Sequence, residues 1–174
     1  MNKIYRLIRY DWPLHFILFF TNWFPDNVAL MRVRGFLIRP FFKQCGKDLR
    51  IGRNCVFGKS YNITIGNHVY IAYGNWIQGS TDIIIQDEVM FGPKSNIISG
   101  NHTRKDGSFR YGGNKYAPII IESGAWVAGS CAVLAGAKLG KGSVLGANSV
   151  LNKEVPPNCL YAGNPAKFIK EIHD

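Results

Sequence analysis

The sequence predicts an all-β solenoid, and three observations carry that prediction. A bulky aliphatic residue or Phe recurs every six positions: Ile51, Phe57, Ile63; then Ile65, Ile71, Ile77, Ile83; then Ile85, Phe91, Ile97. The series resumes at Ile121, Val127, Val133, Leu139, Leu145 and Leu151. The next residue is repeatedly Gly or Ala (Gly52, Gly66, Ala72, Gly92, Ala128), and the fourth after it is often small (Cys55, Ser95, Cys131, Ser143, Ser149). A helix needs a period near 3.6 and a simple strand a period of 2, so a period of six describes short strands joined by turns. Repeats of this kind bury a continuous core only by stacking on one another.

Residues 1–48 lack the period and read as an N-terminal helical, aromatic and basic cap. Asp26 or Asn27 can start a helix from about Val28 to Arg39, which Pro40 ends or kinks. Leu30, Val33 and Leu37 are expected on one face with Arg32 and Arg39 opposite; Arg34 breaks the pattern. Residues 1–53 carry ten Lys/Arg against three Asp/Glu, most of the chain's net charge of +10. Two readings follow: a cap over the open first coil, or peripheral contact of residues 1–44 with anionic lipid headgroups at the inner face of the membrane. The apolar stretch Leu14–Phe24 is well short of the ~20 residues a spanning helix needs. No small-residue cleavage site follows it, so a cytoplasmic protein is expected. The basic segment matches no nucleic-acid-binding module.

Residues 49–155 are expected to wind about five coils stacked ~4.8 Å apart. The steps Ile63 to Ile65 and Ile83 to Ile85 each insert two residues, which leaves the inward face unchanged and predicts bulges at corners. The stretch 99–118, Ser99 to Pro118, is the one long break in the period, and a long loop inside a regular array is a candidate functional element. In residues 156–174, Pro156-Pro157 stops the strands, and Asn164 followed by Pro165 predicts a short C-terminal helix that docks through Phe168, Ile169 and Ile172. Of the four cysteines, Cys55 and Cys131 take the small inward position of a repeat; with no metal-ligand spacing, all four read as reduced and structural.

Three motifs in order are more specific than any single repeat: SGNH opening the break, PIIIESGAWVAG closing it, and LGANSVLNKEVPP with AGNPAKFIKEI at the end. On these, residues 49–174 resemble the hexapeptide-repeat acyltransferases, in particular the galactoside/maltose O-acetyltransferases and the capsule- or exopolysaccharide-modifying O-acetyltransferases. The resemblance implies a left-handed parallel β-helix, although ordinary parallel crossovers are right-handed. It also implies acetyl-CoA as acyl-donor cosubstrate, no metal requirement, and a homotrimer with active sites between subunits.

A sugar hydroxyl becomes a nucleophile when a base removes its proton, and imidazole suits that near neutral pH. The resemblance assigns this role to His102, while His68 in IGNHVY reads as a surface corner residue. It places the acceptor near Asn75, Asp82 and Trp126, although Asn75 also reads as a turn residue, Asp82 as a corner carboxylate and Trp126 as a packing residue. For CoA it implies Gly129, Ala147, Asn152, Lys153, Lys167 and Lys170. Small residues let the pantetheine arm lie along the coils, and lysines suit its phosphates. Solvated surface positions are the other reading of the late lysines.

The expected function is therefore acetyl transfer to a sugar hydroxyl, of a surface polysaccharide or its lipid-linked precursor. Two alternatives share the scaffold: N-acetylation of a nucleotide-linked amino sugar, and a metal enzyme resembling the γ-carbonic anhydrases. The second needs three converging histidines, and the repeats contain only His68 and His102. A non-catalytic binding module is the alternative from another class.

Overall fold

Parallel strands wind through six coils in the computed structural model, which describes residues 2–173. The first coil holds β1 (Gln44–Cys45), β2 (Arg50–Ile51) and β3 (Val56–Gly58); the second holds β4 (Ile63–Ile65), β5 (Tyr70–Ile71) and β6 (Trp76–Gln78). The third holds β7 (Ile83–Ile85), β8 (Met90–Phe91) and β9 (Asn96–Ile98), after which a hairpin, β10 (Gly100–His102) and β11 (Asn114–Tyr116), leaves the solenoid. The fourth holds β12 (Ile119–Ile121), β13 (Trp126–Val127) and β14 (Ala132–Leu134), and the fifth β15 (Lys138–Leu139), β16 (Val144–Leu145) and β17 (Val150–Leu151). A partial sixth holds β18 (Glu154–Val155) and β19 (Cys159–Ala162), with β20 (Lys167–Glu171) folded back on it. First, second and third strands of successive coils stack into three faces. Five coils were expected; β1 begins before residue 49 and β18–β19 run past the fifth turn, which makes six.

The six-residue series is the core. Ile51, Ile71, Phe91, Val127 and Leu145 stack in register up the second face, Phe57, Ile77, Ile97, Val133 and Leu151 up the third. All but Phe57 are fully buried, and each removes about 1.5–3 kcal/mol worth of apolar side chain from water. The two-residue steps are not corner bulges. Ile63 with Ile65, and Ile83 with Ile85, lie inward within single strands of the first face, matched by Ile119 with Ile121. The pleat turns every second residue inward, so a longer strand absorbs the extra pair without a bulge.

A second inward column fills the corner between the second and third faces. Cys55, Asn75, Ser95, Cys131 and Ser149 each stand four residues after the inward residue of the second face, and all are buried. Their polar atoms serve the backbone: Ser95 Oγ donates to the Ala128 carbonyl (2.9 Å) and accepts from the Cys131 amide (3.1 Å). Burial pushes the Cys55 thiol up to about 12 and that of Cys45 to about 11, so neither is a thiolate at neutral pH.

The N-terminal segment closes the first coil. Helix α1 (Lys3–Arg6), a π-turn (Leu7–Asp11) and α2 (Trp12–Thr21) run on continuously; α3 (Val28–Ile38) starts at Asn27, whose side chain accepts from the Leu30 amide at 2.9 Å, and Pro40 follows in a 3₁₀ turn. Leu14, Leu18 and Ile38 join the solenoid core. The expected inner face of α3 is corrected: Met31, Arg34, Gly35 and Ile38 are buried, while Val33 and Leu37 face out. Gly35 explains the rotation, because a Cβ there would stand 1.9 Å from the Leu49 carbonyl oxygen, so only glycine permits this close approach.

The expected C-terminal helix is also corrected. After a turn at Asn164-Pro165, β20 pairs antiparallel with β19, and the Tyr161 and Phe168 rings meet edge-on at 5.8 Å. Without β20, β19 would leave an open sheet edge with unpaired amides and carbonyls; pairing satisfies them, whereas a helix would not.

Candidate active site at the hairpin corner

The break in the period is a built hairpin. Gly100, Asn101 and His102 pair with Tyr116, Lys115 and Asn114. Lys105 and Ser108 exchange backbone hydrogen bonds at 2.9 Å around Asp106-Gly107, both with positive φ (49° and 82°). Asp-Gly is the sequence signal for such a two-residue hairpin turn, since both positions take positive φ. Buried Ser99 anchors the root: its Oγ accepts from the Thr81 amide and donates to the Thr81 carbonyl, both at 2.9 Å. The Lys59 ammonium lies 5.8 Å from the centre of the Tyr116 ring at the hairpin base. His102 is thus carried on a short strand whose root is fixed to the core, with its side chain exposed.

The hairpin leaves the corner between the third and first faces, and three other expected site residues share that corner. Asp82 precedes β7, one coil before the hairpin; its carboxylate pairs with Lys43 at 2.8 Å, and its carbonyl accepts from the Ile119 amide. Asn152 and Lys153 follow β17, two coils beyond β9, so about 10 Å of stacked strand separates them from the root. Both are exposed, and the Lys153 ammonium stands 6.0 Å from the centre of the Tyr161 ring. The neighbouring Lys138 is already taken up by Glu122 at 2.8 Å, which holds that carboxyl below its usual range.

Gly129 and Ala147 occupy the other edge of the third face. Their corners are stacked, with the Asn148 amide donating to the Gly129 carbonyl at 3.0 Å. Lys167 and Lys170 lie beside this corner on β20, paired with Ala162 and Leu160. A bulge between Leu160 and Tyr161 puts the extra residue Ile169 between the pairs, so both lysines fall on the outer side of the sheet. The expected cofactor residues therefore flank one strip of the third face, whose outward residues there are Ala132 and Val150.

Two expected residues stand elsewhere. Asn75 is fully buried, and its amide donates to the Ala72 and Gly92 carbonyls (2.7 and 3.0 Å) and accepts from the Ser95 amide (3.2 Å). It holds two coils together and presents nothing to a ligand. The signal was its place four residues after Ile71, the small inward position of the repeat. Trp126 is half-exposed on the second face, between Met90 and Val144, around a corner from the hairpin. The outward aromatic of the third face is instead Trp76, in register with Val56 and Asn96. His68 sits on the corner between the first and second faces with Nδ1 3.2 Å from Asp48, and among the described residues no three His, Cys, Asp or Glu converge as metal ligands.

No family model matches the chain. It is 29% identical to the galactoside O-acetyltransferase of Lactococcus lactis over 131 residues, 71% of this chain and 63% of that one. The chain thus spans a little under two thirds of that relative's length. Its fold superimposes on a hexapeptide-repeat acetyltransferase of Vibrio cholerae complexed with acetyl coenzyme A: TM-score 0.84, 25% identity, 99% of this chain and 91% of the other. A galactoside acetyltransferase in complex with coenzyme A gives a TM-score of 0.83 at 27% identity, covering 100% and 85%.

Proposed function

We propose that this homologue of the hexapeptide-repeat acetyltransferases is itself an acetyl-CoA-dependent O-acetyltransferase acting on a sugar hydroxyl. The observation that carries the reading is the hairpin corner. His102 stands there on a rooted strand, in line with Asn152 and Lys153 and across one face from Gly129 and Ala147.

In this reading His102 accepts the hydroxyl proton as the oxygen attacks the thioester carbonyl. The tetrahedral intermediate collapses to the acetyl ester, and the CoA thiolate leaves and takes up the proton. Lys153, Lys167 and Lys170 supply point charges for the CoA phosphates, and Gly129, Ala147 and Asn152 let the pantetheine arm approach the coils. Asp82 and Trp126 contact the acceptor. Because Trp126 and His102 are on different faces of one chain, the site is completed between neighbouring copies of a homotrimer.

The acceptor is assigned to a surface polysaccharide or its lipid-linked precursor, met at the inner face of the membrane. Support comes from the N-terminal helices, where Ile4, Ile8, Trp12, Phe16 and Phe20 recur every four residues and are each more than half exposed. Residues 2–43 add seven Lys/Arg against two Asp/Glu. An apolar ridge with basic flanks suits an anionic bilayer surface. No helix among the described residues is long and apolar enough to cross a membrane.

The direct test follows thiol release from acetyl-CoA with a panel of glycans. Turnover that needs a sugar, falling about 10²- to 10⁴-fold in His102→Ala without loss of folding, is expected. Full activity of that variant would overturn the mechanism. Mild base separates the products: an ester is cleaved, whereas an amide would favour N-acetylation of an amino sugar.

A further inference from the structure

A groove of about 800 Å³ between the N-terminal helices and the first coil contains none of the residues assigned to acetyl transfer. Its size falls within the ~300–1,000 Å³ typical of small-molecule sites. Buried Leu14, Leu18 and Phe57 form the floor, and Trp12, Phe19 and Val56 form half-exposed walls. The strand bordering it, β3, is the outer edge of the third face.

Apart from His15, which stacks on Phe19 along the α2 wall, the hydrogen-bonding and charged side chains stand at the two ends. Asn22 and Asn54 close one, the Asn54 amide donating to Asn22 Oδ1 at 3.0 Å. Lys59 and Asp11 border the other, where Arg6 lies close by with its guanidinium 3.3 Å from the Tyr61 hydroxyl. That end carries a net positive charge, and it is the end nearest the hairpin through the Lys59–Tyr116 contact. From Val56 at the groove wall, the outward column of the third face runs through Trp76 to Asn96, two coils or about 10 Å, to the coil from which the hairpin rises. Trp12 also belongs to the exposed apolar ridge, so the groove is continuous with the surface assigned to the bilayer.

We propose that this groove holds the hydrocarbon tail of the acceptor, an amphiphile whose tail is joined to its sugar through phosphate. The tail lies on Leu14, Leu18 and Phe57, the phosphate meets Lys59, and the glycan passes Trp76 toward His102. Lysine suits a phosphate as a mobile point charge, and an exposed Trp offers a flat apolar face to a sugar ring. The proposal rests on the acetyltransferase reading for the destination of the sugar, though not for the binding of the tail.

Titration calorimetry on the full chain tests it, with farnesyl diphosphate as probe and farnesol and inorganic pyrophosphate as separate arms. Farnesyl diphosphate is expected to bind at least tenfold more tightly than either. Val56→Trp, which fills the groove from an exposed position, should weaken it tenfold or more. Lys59→Asn, which tolerates the left-handed backbone at φ 50°, should reduce it to the level of farnesol. Equal affinity for pyrophosphate would mean a free-phosphate site, and undiminished binding by Val56→Trp would mean the tail lies elsewhere; either overturns the proposal. So does a change in the oligomer on sedimentation of Val56→Trp, which would mean that a second copy covers the groove. Intact farnesyl diphosphate binding with no acetyl transfer to any sugar would sink the proposed function alone; acetyl transfer without farnesyl diphosphate binding would sink the groove alone.

Discussion

Arg34 and Asp26 form an ion pair at 3.0 Å under the N-terminal cap, with the arginine almost fully buried and the aspartate three-quarters covered. The guanidinium also donates to the carbonyls of Ile51, Thr21 (2.9 Å) and Phe24 (3.3 Å), and Asp26 accepts from the Arg53 amide at 3.0 Å. One side chain thus joins the first coil to the turn between α2 and α3. Removing one partner of a buried pair costs about 3–5 kcal/mol, and Asp26 keeps some solvent, so Arg34→Met should lose about 3 kcal/mol in urea unfolding. Arg34→Lys should recover little, because an ammonium cannot reproduce the fork that reaches four oxygens.

Asn75 gives a prediction that separates structure from binding. Asn75→Ala removes two hydrogen bonds between coils and one within its own coil; the Gly92 carbonyl and the Ser95 amide lose their partner in the core, and the Ala72 carbonyl keeps only the Cys55 thiol. The expected loss is about 1–3 kcal/mol of stability, with KM for the sugar unchanged in the folded fraction. A raised KM at unchanged stability would return Asn75 to the acceptor site.

The repeat was legible because burial imposes it: Ile71, Phe91 and Val127 must be apolar whatever the chain does chemically. The same ruler, applied to the small inward column, would have placed Asn75 inside. Arg34 was illegible for the opposite reason. A charged residue on a helix face reads as solvent-facing until its four acceptors, spread over residues 21–51, are brought together by the fold. The C-terminal strand was hidden by a local signal, since Asn-Pro imitates a helix start while the open edge of β19 decides the outcome. At the candidate site, the hairpin stood out as a break in the period, yet its Asp106-Gly107 turn and Ser99 root became clear only from the pairing. Nothing in linear spacing says that Asp82, His102 and Lys153 share one corner while Trp126 does not.

Asp48 gathers Arg32 at 2.7 Å, Arg50 at 2.9 Å and His68 at 3.2 Å, and hydrogen bonds from Arg50 and then Arg32 hold its carboxyl far below the usual range. A depressed carboxyl stabilises the fold above the unfolded value of about 3.9 and loses that contribution as pH falls toward the folded value. Asp48→Asn keeps the left-handed backbone at φ 53° and removes the charge. Its melting temperature should lie below that of the wild type at pH 7, and the gap should close as pH drops below about 4. A gap that does not narrow between pH 5 and pH 2 would assign the loss to packing.

The hairpin separates catalysis from scaffold stability. A Cβ at Gly112 would stand 1.6 Å from the Thr103 carbonyl oxygen, one residue beyond His102, and Thr103 is itself held by the Gly113 carbonyl at 2.9 Å. Gly112→Ala must therefore displace the strand that carries His102, while the coils, whose core residues are all elsewhere, keep their contacts. A misplacement of about 1 Å costs on the order of 10²-fold in rate. We expect kcat to fall by that order, with coenzyme A binding and melting temperature nearly those of the wild type. Wild-type kcat in Gly112→Ala would show that transfer does not depend on the hairpin geometry, and His102 would lose its assigned role.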